Sequence, residues 1–272
     1  MTDKEVIRRH FTETTHVWRN KIYKAKQDQK LFEYFDKQYR FDYVVQMIDR
    51  VEKGKHRALD VGCGAGQLIP ILHKFGYEAY AIDTSQEMIE IAKKHVDDNN
   101  SNCDIQLGDC ENLNYPDNYF DVYVAMGVIE YLDSDNLMFE EIKRVLKPGG
   151  IAIITARNVR SVHVRWRVLY HKYFNIKAKN IVRSLIGKKR RDYYSISKEH
   201  NPSCFREQLS SCSFRVLEER YAHFHALPSP LNKWFSGLEA IMGKTMEKYF
   251  SRGRLPFMAS TYIIKFQKIP NK

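Results

Sequence analysis

The chain has 272 residues, 43% hydrophobic and 13% aromatic, with a formal net charge of +11. That size and apolar content exclude a disordered chain and suit one α/β domain with insertions. No run of about 18 apolar residues occurs, so no membrane-spanning helix is expected, and the charged N-terminus has no apolar signal core, which points to the cytoplasm.

The basicity is local. From Arg157 to Arg191 the chain has twelve Lys or Arg residues and no Asp or Glu, which leaves the remainder close to neutral. A charge block of this kind usually serves a partner or a surface. The five cysteines, Cys63, Cys103, Cys110, Cys204 and Cys212, form no C-x-x-C pair. They read as reduced thiols, and no metal site is expected.

Residues 1–50 read as a helical cap with Trp18, Ile22, Phe32, Phe35 and Tyr39 as buried positions. Residues 51–157 then alternate short apolar runs with helical patterns. A first strand enters "ALDVGCGAGQ", where Gly62, Gly64 and Gly66 follow the acid Asp60. A helix over "LIPILHKFGY" leaves it, with Leu68, Ile71, Leu72 and Phe75 at helical spacing. "EAYAID" is a second strand ending in Asp83. Ser85 caps a helix with the stripe Met88, Ile89, Ala92 and Val96. "CDIQLGD" is a third strand ending in Asp109, and "FDVYVAMG" a fourth. "NLMFEEIKRVL" is a helix stopped by the breaker "KPGG", and "IAIITA" is a fifth strand.

The basic insertion, 158–198, comes next. Val162, Trp166, Leu169, Tyr170 and Tyr173 fall on one helical face, with Arg160, Arg165, Arg167 and Lys172 largely off it. Ile181, Val182, Leu185 and Ile186 suggest a second apolar patch. Residues 199–272 add the helix "CFREQLSSC", the strand "FRVLEERYAHF" and the final strand in "FMASTYIIKFQK". Between those strands, 228–254 carry Trp234, Leu238, Ile241, Met242, Met246 and Tyr249 at helical intervals. The expected fold is therefore α/β: a Rossmann-like, seven-stranded, mostly parallel sheet flanked by helices, with a helical N-terminal cap and two C-terminal insertions.

In such sheets ligands bind beyond the carboxyl ends of the strands, where glycine lets the backbone turn and approach a ligand. Asp83 ends the second strand about 20 residues past the glycines, where a carboxylate can accept from both hydroxyls of a ribose. It also suits a helix N-cap. The spacing G-x-G-x-G fits neither the dinucleotide pattern G-x-G-x-x-G nor a Walker A loop, which requires Gly-Lys-Ser/Thr. A nicotinamide-dependent dehydrogenase is therefore disfavoured.

The loop resembles motif I of the class I S-adenosylmethionine-dependent methyltransferases. "AIDTSQEMIEIAKKH", "GDCENLNYPDNYFDVYVAMGVIEYL" and "RVLKPGGIAIIT" follow in family order over about 57–157. The resemblance is nearest to the small-molecule type, such as the quinone-pathway enzymes. It implies S-adenosylmethionine as cofactor. Asp60 and the Gly62, Gly64 and Gly66 backbone would then hold its methionine part and Asp83 its ribose. Thr84 and Met88 would lie near the adenine, Asp109 would accept from the adenine amino group with Cys110 beside it, and Met126 and Gly127 would line the sulfonium end.

Related enzymes carry a Glu-His pair after the fourth strand, and here the pair is Glu130-Tyr131. Candidates for handling the acceptor's proton are Glu130, Tyr131, His163, His200, His223 and His225, with Tyr131 and His200 preferred. The expected acceptor is small and hydrophobic or membrane-associated, methylated on oxygen. The basic insertion has three readings: a lid packed on the core, a contact with anionic membrane, or an RNA groove in which aromatic rings stack on bases. The absence of an Asn/Asp-Pro-Pro-aromatic motif after the fourth strand argues against exocyclic-amine methylation of nucleic-acid bases. A non-catalytic cofactor-binding module is the remaining alternative.

Overall fold

The computed structural model describes residues 31–50, 54–132, 134–170, 173, 198–228 and 231–270. In chain order the elements begin with α1 (Leu31–Met47), β1 (Arg57–Val61), α2 (Ile69–Lys74), β2 (Glu78–Asp83), α3 (Gln86–Asp98), β3 (Cys103–Leu107) and β4 (Phe120–Met126). After a short 3-10 turn, Ile129–Tyr131, come α4 (Asp135–Val145), β5 (Leu146–Arg157), α5 (Val162–Leu169), α6 (Pro202–Ser211) and β6 (Phe214–Phe224). The last elements are α7 (Leu231–Trp234), α8 (Ser236–Phe250) and β7 (Ala259–Lys268).

The seven strands form one sheet in the order β3-β2-β1-β4-β5-β7-β6. β7 is antiparallel to both its neighbours, and the other pairs are parallel. The expected Rossmann-like α/β architecture is thus observed. Strand order reverses between β1 and β4, so the crevice for a ligand opens at the carboxyl ends of those two strands.

Helix boundaries follow local chemistry. Ser85 accepts from the Met88 N–H at the start of α3, Ser161 from the Val164 N–H at the start of α5, and Asn201 from the Ser203 N–H before Pro202 opens α6. Alternate strand residues feed two core layers. Leu59, Tyr123 and Ile154 pack on one face with Phe139, Phe205 and Tyr262. Ala58, Val124 and Ile153 pack on the other with Val44, Met47, Leu72 and Ile89.

Several sequence expectations need correction. The breaker Lys147–Gly150 does not separate helix from strand, because β5 already begins at Leu146. Its pairing with β4 slips between Phe120 and Val122, so the Pro-Gly-Gly stretch is absorbed as an irregularity within the sheet. The third strand ends at Leu107, not Asp109, because Asp109 turns back to bridge Asn112. The helical intervals of the second insertion are observed in α8, and the structure adds which side faces inward: Met246 is buried, while Trp234, Leu238, Ile241, Met242 and Tyr249 are exposed. On α5 the packed residues are His163 and Val164, while Val162, Trp166 and Leu169, and Tyr173 beyond the helix, are exposed. Ile181, Val182, Leu185 and Ile186, together with Trp18 and Ile22 and the side chains of Phe32 and Phe35, lie outside the described residues.

Candidate functional site

The glycine loop turns at the end of β1, directly over the switch point. Gly62 and Gly64 both have left-handed backbones, with φ of +65° and +53°. A Cβ at Gly62 would collide with Val128 Cγ2, whereas a Cβ at Gly64 would meet nothing within 4 Å. Gly62 therefore packs the loop onto the segment after β4, and Gly64 borders open space. The Gly64 N–H donates to Asp83 Oδ2 at 2.9 Å, and the Ser85 N–H donates to Asp83 Oδ1 at 2.9 Å. Asp83 thus ties the glycine loop to the cap of α3. Burial raises its carboxyl pKa, although the N–H groups of Ser85, Gly64 and Thr84 pull it back down.

Asp60 is buried, and among the described residues its Oδ2 has no hydrogen-bond partner. Burial, and then the charge of Asp83, push its carboxyl pKa up to about 8. A buried orphan acid beside a glycine cradle suits a ligand that brings positive charge and hydroxyls. S-adenosylmethionine has both, in its ammonium and sulfonium groups and its ribose, and these residues fit it.

The other residues expected to hold the cofactor lie at the ends of β2, β3 and β4 and in the glycine loop, where Gly66 has φ of +74° and packs against Ile69 and Ala92. Thr84 is exposed after β2, and Met88 is buried in the first turn of α3. Asp109 Oδ1 accepts the Glu111 N–H at 3.0 Å, which shapes the turn that carries the buried Cys110. Met126 ends β4, and the Gly127 N–H donates to Thr155 Oγ1 at 2.9 Å.

After β4, Glu130 is buried and its Oε2 lies 3.3 Å from Arg157 Nε at the end of β5. A Cβ at Gly127 would sit 3.1 Å from Arg40 Nη1 and 3.2 Å from Glu130 Oε1, so α1 lays a second guanidinium over the end of β4. Burial raises the Glu130 carboxyl pKa against the opposing pull of Arg157 and Arg40. Burial, and then the Glu130 charge, push the neighbouring Tyr131 phenol upward.

His200 is also buried. Its Nε2 lies 3.1 Å from Asp135 Oδ2, and its backbone bonds to Arg157 and Val159. Among the described residues its Nδ1 has no partner. Burial alone would raise the Asp135 carboxyl pKa, but the hydrogen bond and charge of His200, and then Lys198, outweigh it and hold it below the usual range. His163 and His225 stack with ring centroids 3.7 Å apart, and His225 Nδ1 lies 3.2 Å from the buried Glu239. His223 Nδ1 lies 2.8 Å from Thr261 Oγ1. The histidines thus divide between an Asp135 partnership and a cluster under α8. Among the described residues no cluster of three His, Cys, Asp or Glu side chains is placed to hold a metal ion.

Arg40 had no signal in the sequence, because only the docking of α1 brings it to Gly127. Arg157 could be read only as the first cation of the basic block.

The two glycines should respond differently to substitution. Gly62→Ala is expected to cost roughly 2–4 kcal/mol of stability, from left-handed strain plus the overlap with Val128. Gly64→Ala should cost only about 1–2 kcal/mol, yet weaken S-adenosylhomocysteine binding by filling the open space. Denaturant unfolding and ligand titration of both variants separate the effects. Equal stability losses with unchanged binding would contradict this division.

Residues 59–154 match a family described as a methyltransferase domain. A ubiquinone biosynthesis O-methyltransferase from Coxiella burnetii is 29% identical over 188 residues, which cover 69% of this chain and 74% of that protein. One from Bradyrhizobium diazoefficiens is 32% identical over 105 residues, covering 39% and 41%. Among solved structures, the cyclase SpnF aligns with a TM-score of 0.64 at 18% identity, covering 100% of this chain and 98% of its own. Magnesium protoporphyrin IX methyltransferase from Synechocystis PCC 6803, with bound SAH, aligns with a TM-score of 0.58 at 13% identity, covering 98% and 100%. At those identities the structures speak to the fold alone. Residues 59–154 are thus similar to a methyltransferase domain, and the chain is an S-adenosylmethionine-dependent methyltransferase with S-adenosylmethionine as its cofactor.

Proposed function

We propose that the chain O-methylates a small, hydrophobic acceptor, with Glu130 receiving the acceptor's hydroxyl proton. The observation that carries this reading is the placement of Glu130. It is a buried carboxyl beside Arg157 and Arg40, at the carboxyl ends of β4 and β5 and next to the glycine crevice. Support for oxygen as the acceptor atom comes from the Coxiella relative, whose name is that of an O-methyltransferase.

When bound, S-adenosylmethionine supplies an electrophilic methyl group and a neutral thioether leaving group. The protein's own work is to align the acceptor and take its proton. Burial raises the Glu130 carboxyl pKa, which makes the carboxylate a stronger base for the acceptor's proton. The guanidiniums of Arg157 and Arg40 favour the ionised form of that carboxyl and steady the negative charge that develops on the acceptor oxygen. Asp60 and Asp83 fix the cofactor side, and the exposed apolar face of α5 and the basic stretch from Arg157 favour an acceptor presented at an anionic membrane.

The test uses methyl-labelled S-adenosylmethionine, the purified protein and a native cell extract, with products split into organic, small aqueous, protein and RNA fractions. Label is expected in the organic phase; label in RNA would overturn the reading and make the basic stretch a nucleic-acid groove. Glu130→Gln should lower turnover by about 10²-fold or more while cofactor binding holds. His200→Ala and Tyr131→Phe in the same assay test the two other candidates. A larger loss in either, with the fold intact, moves the proton to that side chain.

A further inference from the structure

We propose that the outward face of α7 and α8 is a docking surface for an anionic lipid bilayer. The proposal deepens, and rests on, the reading of a hydrophobic acceptor, because a bilayer is where such an acceptor would be met.

The orientation of α8 is inverted relative to an ordinary surface helix. Glu239, Gly243, Met246 and Glu247 form its buried stripe. Leu238, Ile241, Met242 and Tyr249 form the opposite one, exposed at 51%, 67%, 40% and 57%. Trp234, at 74%, and Phe235, at 56%, extend that stripe through α7. A helix of a water-soluble surface turns its carboxylates outward and its aliphatic residues inward.

The reason for the inversion is visible in the hydrogen bonds. Glu239 accepts from the Leu227 N–H at 2.9 Å and lies beside His225. Glu247 accepts from the backbone N–H groups of His223 and Phe224 and from the Tyr43 hydroxyl. Both carboxylates therefore tie the end of β6 and the helix α1 to α8, and that use leaves the apolar stripe facing outward.

Charge selects the occupant. Glu239 and Glu247 are the two carboxylates of residues 231–254, and both are buried. The exposed charged side chains described there are Lys244, Lys248, Arg252 and Arg254, all cationic. A surface of Trp, Phe, Ile, Leu and Tyr rimmed only by Lys and Arg matches an interfacial helix, with rings in the headgroup layer and cations on lipid phosphates. α8 is 15 residues long, about 22 Å, so it offers an extended strip to lie along the membrane plane. A second copy of the same face would bring like charges together across a twofold axis. The Arg157–Arg191 stretch has the same sign, so it adds to the attraction for an anionic surface and does not complement this face.

The test is flotation of the full chain with vesicles of phosphatidylcholine alone or with added phosphatidylserine, at low and high salt. The double variant Trp234→Ser, Ile241→Ser is compared with the parent. Both side chains are exposed, so the variant should keep the parent's melting temperature and S-adenosylhomocysteine affinity. The parent is expected to float with phosphatidylserine vesicles at low salt, and the variant's vesicle-bound fraction should fall at least about tenfold. Absence of parental flotation, or equal flotation of the two, would falsify the proposal. A doubled mass in light scattering that only the parent shows would instead give the face to a second copy. Methyl transfer in detergent-dispersed extract is read separately: if it fails while flotation holds, the acceptor reading falls and the surface stands.

Discussion

Asp83→Ala is expected to raise the dissociation constant for S-adenosylhomocysteine by about 100-fold or more, from the loss of two charge-assisted hydrogen bonds of ~1.5 kcal/mol or more each. The effect should be large because the carboxyl has two duties. Its oxygens accept from Gly64 and Ser85, which sets the glycine loop against the cap of α3, and the same carboxyl is the group proposed to accept from the ribose hydroxyls. Asp83→Asn keeps the shape but offers one acceptor oxygen in place of two, so it should fall between alanine and the parent. Titration calorimetry gives the constants, and thermal unfolding shows whether the loop alone has failed. An alanine variant that binds within threefold of the parent would remove Asp83 from the cofactor site.

The second large effect is one of pH and belongs to Asp60. Its folded-state pKa is raised, to about 8, by burial and then by Asp83. A raised carboxyl pKa means the folded protein holds a proton that the unfolded chain releases near pH 4. This group's contribution to the stability of the cofactor-free protein is therefore full below pH 4 and is lost as pH rises toward 8. Binding runs the other way. A cationic ligand group prefers the ionised acid, so affinity for S-adenosylmethionine should climb from pH 6 to about 8, by up to roughly tenfold per unit, and then level off. Calorimetry in two buffers of different ionisation enthalpy should record proton release on binding below pH 8. Asp60→Asn is expected to abolish that release, flatten the pH dependence and weaken binding throughout. Proton release that persists in the asparagine variant would assign the titration to another group.

Much of the glycine crevice was legible in the sequence because it is built from local patterns. The alternation of β1, α2, β2 and α3 follows from short apolar runs and a helical stripe. Asp60, Gly62, Gly64, Asp83 and Ser85 all stand at the ends of those elements, where chain order alone puts them near the crevice. The limit of such patterns shows in Lys147–Gly150, whose breaker residues lie within β5 because its pairing with β4 tolerates a slip.

The surroundings of Glu130 depend on tertiary structure. Arg40 reaches Gly127 only because Val44 and Met47 dock α1 on the sheet. Arg157 meets Glu130 because β4 and β5 are neighbours, and His163 meets His225 because α5 and the end of β6 converge. For α8 the sequence determined that a helix with an apolar stripe would form, but not which stripe would face inward. Periodicity records where side chains lie around a helix axis, not what the other side offers them. Here the other side offered the backbone N–H groups of His223, Phe224 and Leu227. Leaving those donors buried without acceptors would cost more than exposing Ile241 and Trp234, so Glu239 and Glu247 turned inward and the apolar residues turned out.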